Sequence, residues 1–275
     1  MKSLRDKVFA ITGASSGIGR ATAEALAHKG CHVAIADVNV EGLAETAARC
    51  RKLGVNVTEQ KLDVANRDAV YGWAESVVRD HGRVNGILNN AGVSLSATVE
   101  TMAFDDFEWL MGINFWGVVY GTKAFLPNIK RAGVGSIVNI SSVFGLIAVP
   151  TQSAYNAAKF AVKGFTEALR TELEIEGSPI GVTCVHPGGI KTNIVKSARV
   201  TESPGFVSEK RARAADKAFI TPPEKAADAI VGAIQNNTRR LLIGPDAIAI
   251  ELMQRALGAQ YQRIMVAAGR RQGRT

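Results

Sequence analysis

Residues 7–30 read KVFAITGASSGIGRATAEALAHKG. An apolar run of strand type, KVFAIT, passes without a spacer into a glycine-rich turn, TGASSGIG at 12–19, and on into a segment with apolar residues at helical spacing. Glycines at 13, 17 and 19 let the chain turn sharply and leave no Cβ where an anion would approach. The following helix offers free N–H groups and the positive end of its dipole at the same point. The natural occupant is a pyrophosphate, with Gly13, Ser15, Ser16, Gly17, Ile18 and Gly19 as its expected cradle; the plain alternative is a tight strand-to-helix turn.

The same alternation continues outward. Short β-branched runs recur at 32–37 (HVAIAD), 55–60 (VNVTEQ), 84–90 (VNGILNN), 136–141 (SIVNIS), 180–185 (IGVTCV) and 240–244 (RLLIG). Between them 17–29, 40–53, 66–81, 105–131, 153–176 and 222–236 carry helical periodicity. Seven strands alternating with helices predict an α/β fold: a doubly wound parallel seven-stranded sheet with helices on both faces, made by right-handed crossovers. Ligands then gather at the carboxyl ends of the strands. The 275 residues include 47% hydrophobic side chains and 8 prolines, with no linker, repeat or low-complexity tract, so residues 1–275 read as a single domain.

The net charge of +8 is uneven. Residues 1–188 carry 18 basic and 18 acidic side chains, whereas 189–275 carry 15 and 7. No basic stripe interleaved with aromatics and no nucleic-acid motif accompanies the excess, which argues against nucleic acid as a partner. Cys31, Cys50 and Cys184 form no CxxC pair, as expected of a reducing, cytoplasmic setting. The apolar run at the start is too short for a signal peptide, and no stretch approaches the roughly 18 apolar residues that span a bilayer.

Asp37 ends the second strand, 18 residues after Gly19, where a carboxylate can accept hydrogen bonds from the adenosine ribose. A 2′-phosphate would be repelled there, and neither Ser16 nor Val38 adds a compensating cation. NAD is therefore favoured over NADP. Arg20 is the one residue that softens this reading, and it is expected to face solvent.

Tyr155 and Lys159, in YNAAK, stand four apart on a helix and reach one small volume. Ser142 lies at the carboxyl end of the fifth strand. A phenol titrates near 10, so action as a base at pH 7 needs a preference for phenolate of about 4 kcal/mol. The Lys159 ammonium, aided by an oxidised nicotinamide ring, is the expected source. The trio suits proton transfer beside hydride transfer. His186 has no second histidine or carboxylate at ligand spacing, so no metal is expected and the histidine should be satisfied or semi-exposed.

Together, TGASSGIG, NNAG (89–92), Asn114 in GINFWG, NISS (139–142), YNAAK and PGGIKT (187–192) resemble the motifs of the short-chain dehydrogenase/reductase family, in family order across residues 7–192. The resemblance implies a Rossmann fold, a nicotinamide cofactor and a small-molecule alcohol or ketone substrate. It makes Tyr155 the general acid/base and Ser142 the hydrogen-bond partner of the substrate oxygen. Lys159 would bind the nicotinamide ribose and lower the tyrosine pKa, with Asn114 extending a proton relay through water. Asn90, Ala91 and Gly92 would lie against the cofactor, Asp63 and Val64 at the adenine, and Pro187, Gly188, Ile190 and Thr192 on the nicotinamide side. Asp63 and Thr192 are also read as helix caps, and Asn114 alone as satisfying local backbone. Three other readings stay open: a 3-oxoacyl thioester or hydroxysteroid enzyme, a nucleotide-sugar epimerase, and a non-catalytic cofactor-binding module.

Residues 189–220, broken by Pro204 and Gly205, are expected to form a substrate-side lid. Leu95, Val143, Phe144 and Val149 suggest a hydrophobic pocket. At 246–268, Ile250, Met253, Leu257, Tyr261 and Ile264 fall at steps of three and four, predicting one amphipathic helical extension. It is expected to pack on its own subunit or on a neighbour, at or near a subunit contact of a homo-oligomer, a dimer or tetramer, with a peripheral membrane contact as the alternative.

Overall fold

The computed structural model of the chain describes residues 1–194, 197–201 and 220–272. Seven parallel strands form one sheet: β1 (Val8–Thr12), β2 (His32–Asp37), β3 (Val57–Lys61), β4 (Gly86–Asn89), β6 (Gly135–Ile140), β7 (Ile180–Pro187) and β9 (Arg240–Ile243). Their order is β3-β2-β1-β4-β6-β7-β9, so the direction of winding reverses between β1 and β4. In a sheet of this kind the carboxyl-end crevice at that reversal is where a ligand fits.

Alternation along each strand feeds two cores. Phe9, Ile11, Val33 and Ile35 point to the face covered by α1 (Gly17–His28), α2 (Val40–Arg51) and α7 (Pro223–Asn236), through Leu26, Leu43 and Ile230. Val8, Ala10, Ala34 and Ile137 point to the other, covered by α3 (Arg67–His81), α5 (Gly117–Arg131) and α6 (Ser153–Ile175), through Trp73, Phe125 and Leu173. The expected Rossmann-type sheet, with helices on both faces, is thus what the chain forms.

Three details differ from the sequence reading. The helical pattern at 105–131 is not one helix: α4 (Phe104–Met111) and α5 are joined by a π turn, Gly112–Trp116, that carries Asn114. A small second sheet pairs β5 (Leu95–Ser96) in parallel with β8 (Arg199–Val200). Of the expected lid, 195–196 and 202–219, with Pro204 and Gly205, lie outside the described residues.

The extension is two helices and not one. Gly258 adopts φ 51 and ψ −132, a geometry that ends α8 (Pro245–Leu257), and a single 3₁₀ turn leads into α9 (Tyr261–Gln272). The predicted stripe therefore breaks, with Tyr261 7% exposed and Leu257 and Ile264 exposed to 40% and 46%. Among the described residues no helix is long and apolar enough to cross a membrane.

Candidate active site

The glycine turn joins β1 to α1. Gly13 and Gly17 have φ of 65° and 53°, left-handed values that favour glycine. Gly19 is required for a different reason: a Cβ there would stand 2.1 Å from the Gly13 carbonyl oxygen and 2.6 Å from Asn90 Nδ2. Asn90 clamps the turn, because its Nδ2 donates to the carbonyls of Thr12 (2.9 Å) and Gly13 (3.0 Å). Thr12 Oγ1 in return accepts from the backbone N–H of Asn90 and Ala91. Ser16 caps α1 in extended conformation without a side-chain hydrogen bond, and Ile18 packs on the core.

Asp37, at the end of β2, accepts from the N–H of Ser15 and of Asn39, both at 2.9 Å, which fixes its carboxylate beside the turn. Arg20 does not face solvent. Its Nη2 donates to the Ser15 and Gly42 carbonyls and pairs with Glu45, and its Nε donates to Thr46 Oγ1, so these donors are engaged within the fold.

Asp63 is exposed and accepts from Ala65 N–H; the cap of α3 is Asn66, so the helix-cap reading of Asp63 is set aside. Val64 is buried against Gly117, where a Cβ would lie 2.8 Å from Val64 Cγ2. Pro187 ends β7, and the chain that follows through Gly188 and Ile190 brings Thr192 against Gly17, where a Cβ would lie 3.0 Å from Thr192 Cγ2.

Ser142, Tyr155 and Lys159 converge at the carboxyl end of β6. Ser142 caps a 3₁₀ turn by accepting from Phe144 N–H (3.1 Å), and its hydroxyl lowers the pKa of the Tyr155 phenol. Phe144 stands edge-on to the Tyr155 ring at 6.1 Å. Lys159 is buried, donates to the Ile140 carbonyl (2.9 Å) and lies 5.6 Å from the Tyr155 ring centre. Gly92 completes the group: a Cβ on it would be 3.3 Å from Asn114 Oδ1 and 3.8 Å from Lys159 Nζ. Of the pocket candidates, Leu95 and Val143 are buried.

Two electrostatic findings modify the expectations. Burial pushes the Tyr155 phenol up to about 12, against a smaller lowering by the Ser142 hydroxyl. The protein alone thus holds Tyr155 as an acid, where a lowered pKa was expected. Burial likewise pushes Lys159 down to about 8, because desolvation disfavours the charged form of each. Asn114 is fully buried and both ends of its amide are engaged with Val93, accepting from the N–H and donating to the carbonyl at 2.8 Å each.

His186 is satisfied as expected, yet it does more than fill space. It is fully buried, with Nδ1 2.8 Å from the Ser142 carbonyl oxygen and Nε2 3.4 Å from Cys184 Sγ. A histidine two residues beyond a strand cysteine carried no sign of that contact in the sequence, because its partner is 44 residues away.

The short chain dehydrogenase family model matches residues 7–203. SadH of Mycobacterium tuberculosis, an oxidoreductase by name, is 48% identical over 270 residues, 98% of this chain and 97% of its own length. Estradiol 17-beta-dehydrogenase 11 of Macaca fascicularis is 30% identical over 270 residues, 96% of this chain and 83% of its own. The crystal structure of a short chain dehydrogenase/reductase from Burkholderia phymatum in complex with NAD is similar throughout: TM-score 0.86, 30% identity, 93% of this chain and 95% of that one. Matching in sequence and in fold over nearly its whole length, the chain belongs to the short-chain dehydrogenase/reductase family.

Proposed function

We propose that the chain is an NAD(H)-dependent oxidoreductase that interconverts a hydrophobic secondary alcohol and its ketone. The observation that carries this reading is the meeting of Ser142, Tyr155 and Lys159 at the strand edge beside the glycine turn. The residues present fit a nicotinamide dinucleotide. The glycine turn admits a pyrophosphate where side chains would collide, and the Asp37 carboxylate is oriented to accept from ribose hydroxyls. With Arg20 engaged within the fold, Asp37 favours NAD over NADP. A relative solved with NAD supports the same choice.

When bound, the nicotinamide supplies hydride donation and acceptance. The chain's own residues handle the oxygen and the proton. Ser142 donates a hydrogen bond to the substrate oxygen, and Tyr155 gives its phenolic proton to a ketone oxygen or takes one from an alcohol. Lys159 binds the nicotinamide ribose and offers positive charge near the Tyr155 ring. Because burial raises the phenol, the proton-donating form prevails at neutral pH. Ketone reduction is therefore favoured towards lower pH and alcohol oxidation towards higher pH.

The test is direct. Fluorescence titration with NADH and NADPH, followed by an NAD⁺ reduction screen over steroids, hydroxyacyl thioesters, terpenols and small diols, defines cofactor and substrate. Tyr155→Phe should abolish turnover with NADH affinity nearly intact. Tighter binding of NADPH overturns the cofactor assignment, and an active Tyr155→Phe enzyme overturns the mechanism.

A further inference from the structure

The C-terminal extension reaches the reaction centre from its own chain in two places. Asp246, in the first turn of α8, accepts from Gly189 N–H at 2.6 Å. The carboxylate lies so close to the turn after β7 that a Cβ on Gly188 would be 2.1 Å from Oδ2, and one on Gly244 2.4 Å from Oδ1. Oδ1 is buried, with no hydrogen-bond partner among the described residues. Tyr261, which opens α9, is buried, and its hydroxyl accepts from Ala148 N–H at 2.9 Å. Ala148 belongs to the loop that connects Ser142 to Tyr155. Between these contacts, the buried Glu251 of α8 pairs with Arg240 of β9, which also pairs with Glu167 of α6, the helix that carries Tyr155 and Lys159.

A carboxylate pressed against two glycines is a demanding way to end a fold. Orphaning one buried oxygen is unfavourable, and neither loop needs this partner to close its strand, since Gly188 N–H already donates to Ile243 O. What the two contacts share is the kind of segment they hold: the turn after β7, which leads to Thr192 at the glycine turn, and the loop that links Ser142 to Tyr155.

We propose that the extension is part of the active-site framework, with Asp246 the positioning residue of the nicotinamide-side turn Gly188–Gly189 and Tyr261 that of the loop between Ser142 and Tyr155. The proposal rests on the cofactor reading above. It gives 246–268 a role within the subunit, whatever copies of the chain do.

The experiment compares NADH with ADP-ribose, which lacks the nicotinamide, by calorimetry on the full chain. Asp246→Ala should weaken NADH about tenfold and leave ADP-ribose within about twofold, the size expected for one buried hydrogen bond to a charged group. Asp246→Asn, whose amide oxygen can still accept from Gly189, should restore most of the loss. In Tyr261→Phe, amide exchange at Ala148 should accelerate about tenfold while exchange over 188–190 stays as in the parent. A role in general stability predicts instead that NADH and ADP-ribose weaken together, and that result overturns the proposal. So does unchanged NADH affinity in Asp246→Ala, or unchanged protection of Ala148 in Tyr261→Phe. A parent that binds neither ligand removes the cofactor reading itself, and the Asp246 role with it.

Discussion

Lowering the pH should destabilise this protein through His186 before most of its carboxylates respond. Burial pushes that imidazole from the ordinary 6.5 down to about 4, and nearby Arg240 and Lys163 add to the effect. The Ser142 carbonyl works the other way. Below pH 6.5 the unfolded chain takes up a proton at this side chain that the folded chain refuses, so stability falls as pH drops towards 4. At about 1.4 kcal/mol per pKa unit, the loss is about 2 kcal/mol by pH 5 and about 3 kcal/mol at pH 4. Urea unfolding at pH 7, 6 and 5, at fixed protein concentration, should show this on top of a contribution from paired carboxylates such as Glu251. His186→Asn isolates it: the Asn amide can still donate to the Ser142 carbonyl but does not titrate, and the carboxylate contribution is common to both proteins. The variant should be less stable at pH 7 through lost packing, and its stability should fall by about 2 kcal/mol less than the parent's between pH 7 and pH 5. Parallel pH dependences would refute the reasoning.

Gly19→Ala places a methyl within 2.1 Å of a backbone oxygen; NADH affinity should drop about a hundredfold or more by calorimetry, and a near-parental value contradicts the cradle. Cys31, Cys50 and Cys184 are buried, and burial pushes their thiols up to about 12, 11 and 12. A colorimetric disulfide reagent at pH 8 should therefore label none of them in the folded chain and all of them in guanidinium. Trp116 and Phe160 are 47% and 41% exposed on the helical layer outside the catalytic group. Covering them with a second copy predicts a dimer or tetramer by light scattering, and a monomer at micromolar concentration removes that expectation.

The sheet was legible because parallel strands covered on both faces are written as unbroken apolar runs, as in KVFAIT and HVAIAD. The glycine turn and the Tyr155–Lys159 spacing were legible because their chemistry is local. What the sequence hid is what depends on distant partners. The π turn at Asn114 has no periodicity of its own, since the apolar spacing runs through it. Two-residue strands such as Leu95–Ser96 and Arg199–Val200 are too short to show a period, and they pair across about a hundred residues. Arg20 looked like an exposed helix residue until α2 supplied Thr46 and Glu45. The rise of the Tyr155 pKa is a matter of burial, which adjacency to Lys159 could not reveal. Gly258, by contrast, was a readable stop signal within the apolar stripe of the extension.

One pairing in the middle of the sheet bears on how the chain finds this fold at all. Asn89 of β4 stands directly opposite Asn139 of β6, its Nδ2 donating to Asn139 Oδ1 at 2.8 Å and to Thr122 Oγ1 at 3.1 Å, while Asn139 Nδ2 donates to Thr166 Oγ1 of α6 at 3.0 Å. Strands buried on both faces have no wet side, so sliding one past the other by a residue would exchange apolar for apolar with little penalty. The two amides remove that freedom: any slip would leave both in the core without their partners, whereas the observed alignment links both strands to α5 and α6 in one step. The central alignment, and with it the spacing of Ser142 from the glycine turn, is thus chosen during folding by a pair of buried side chains.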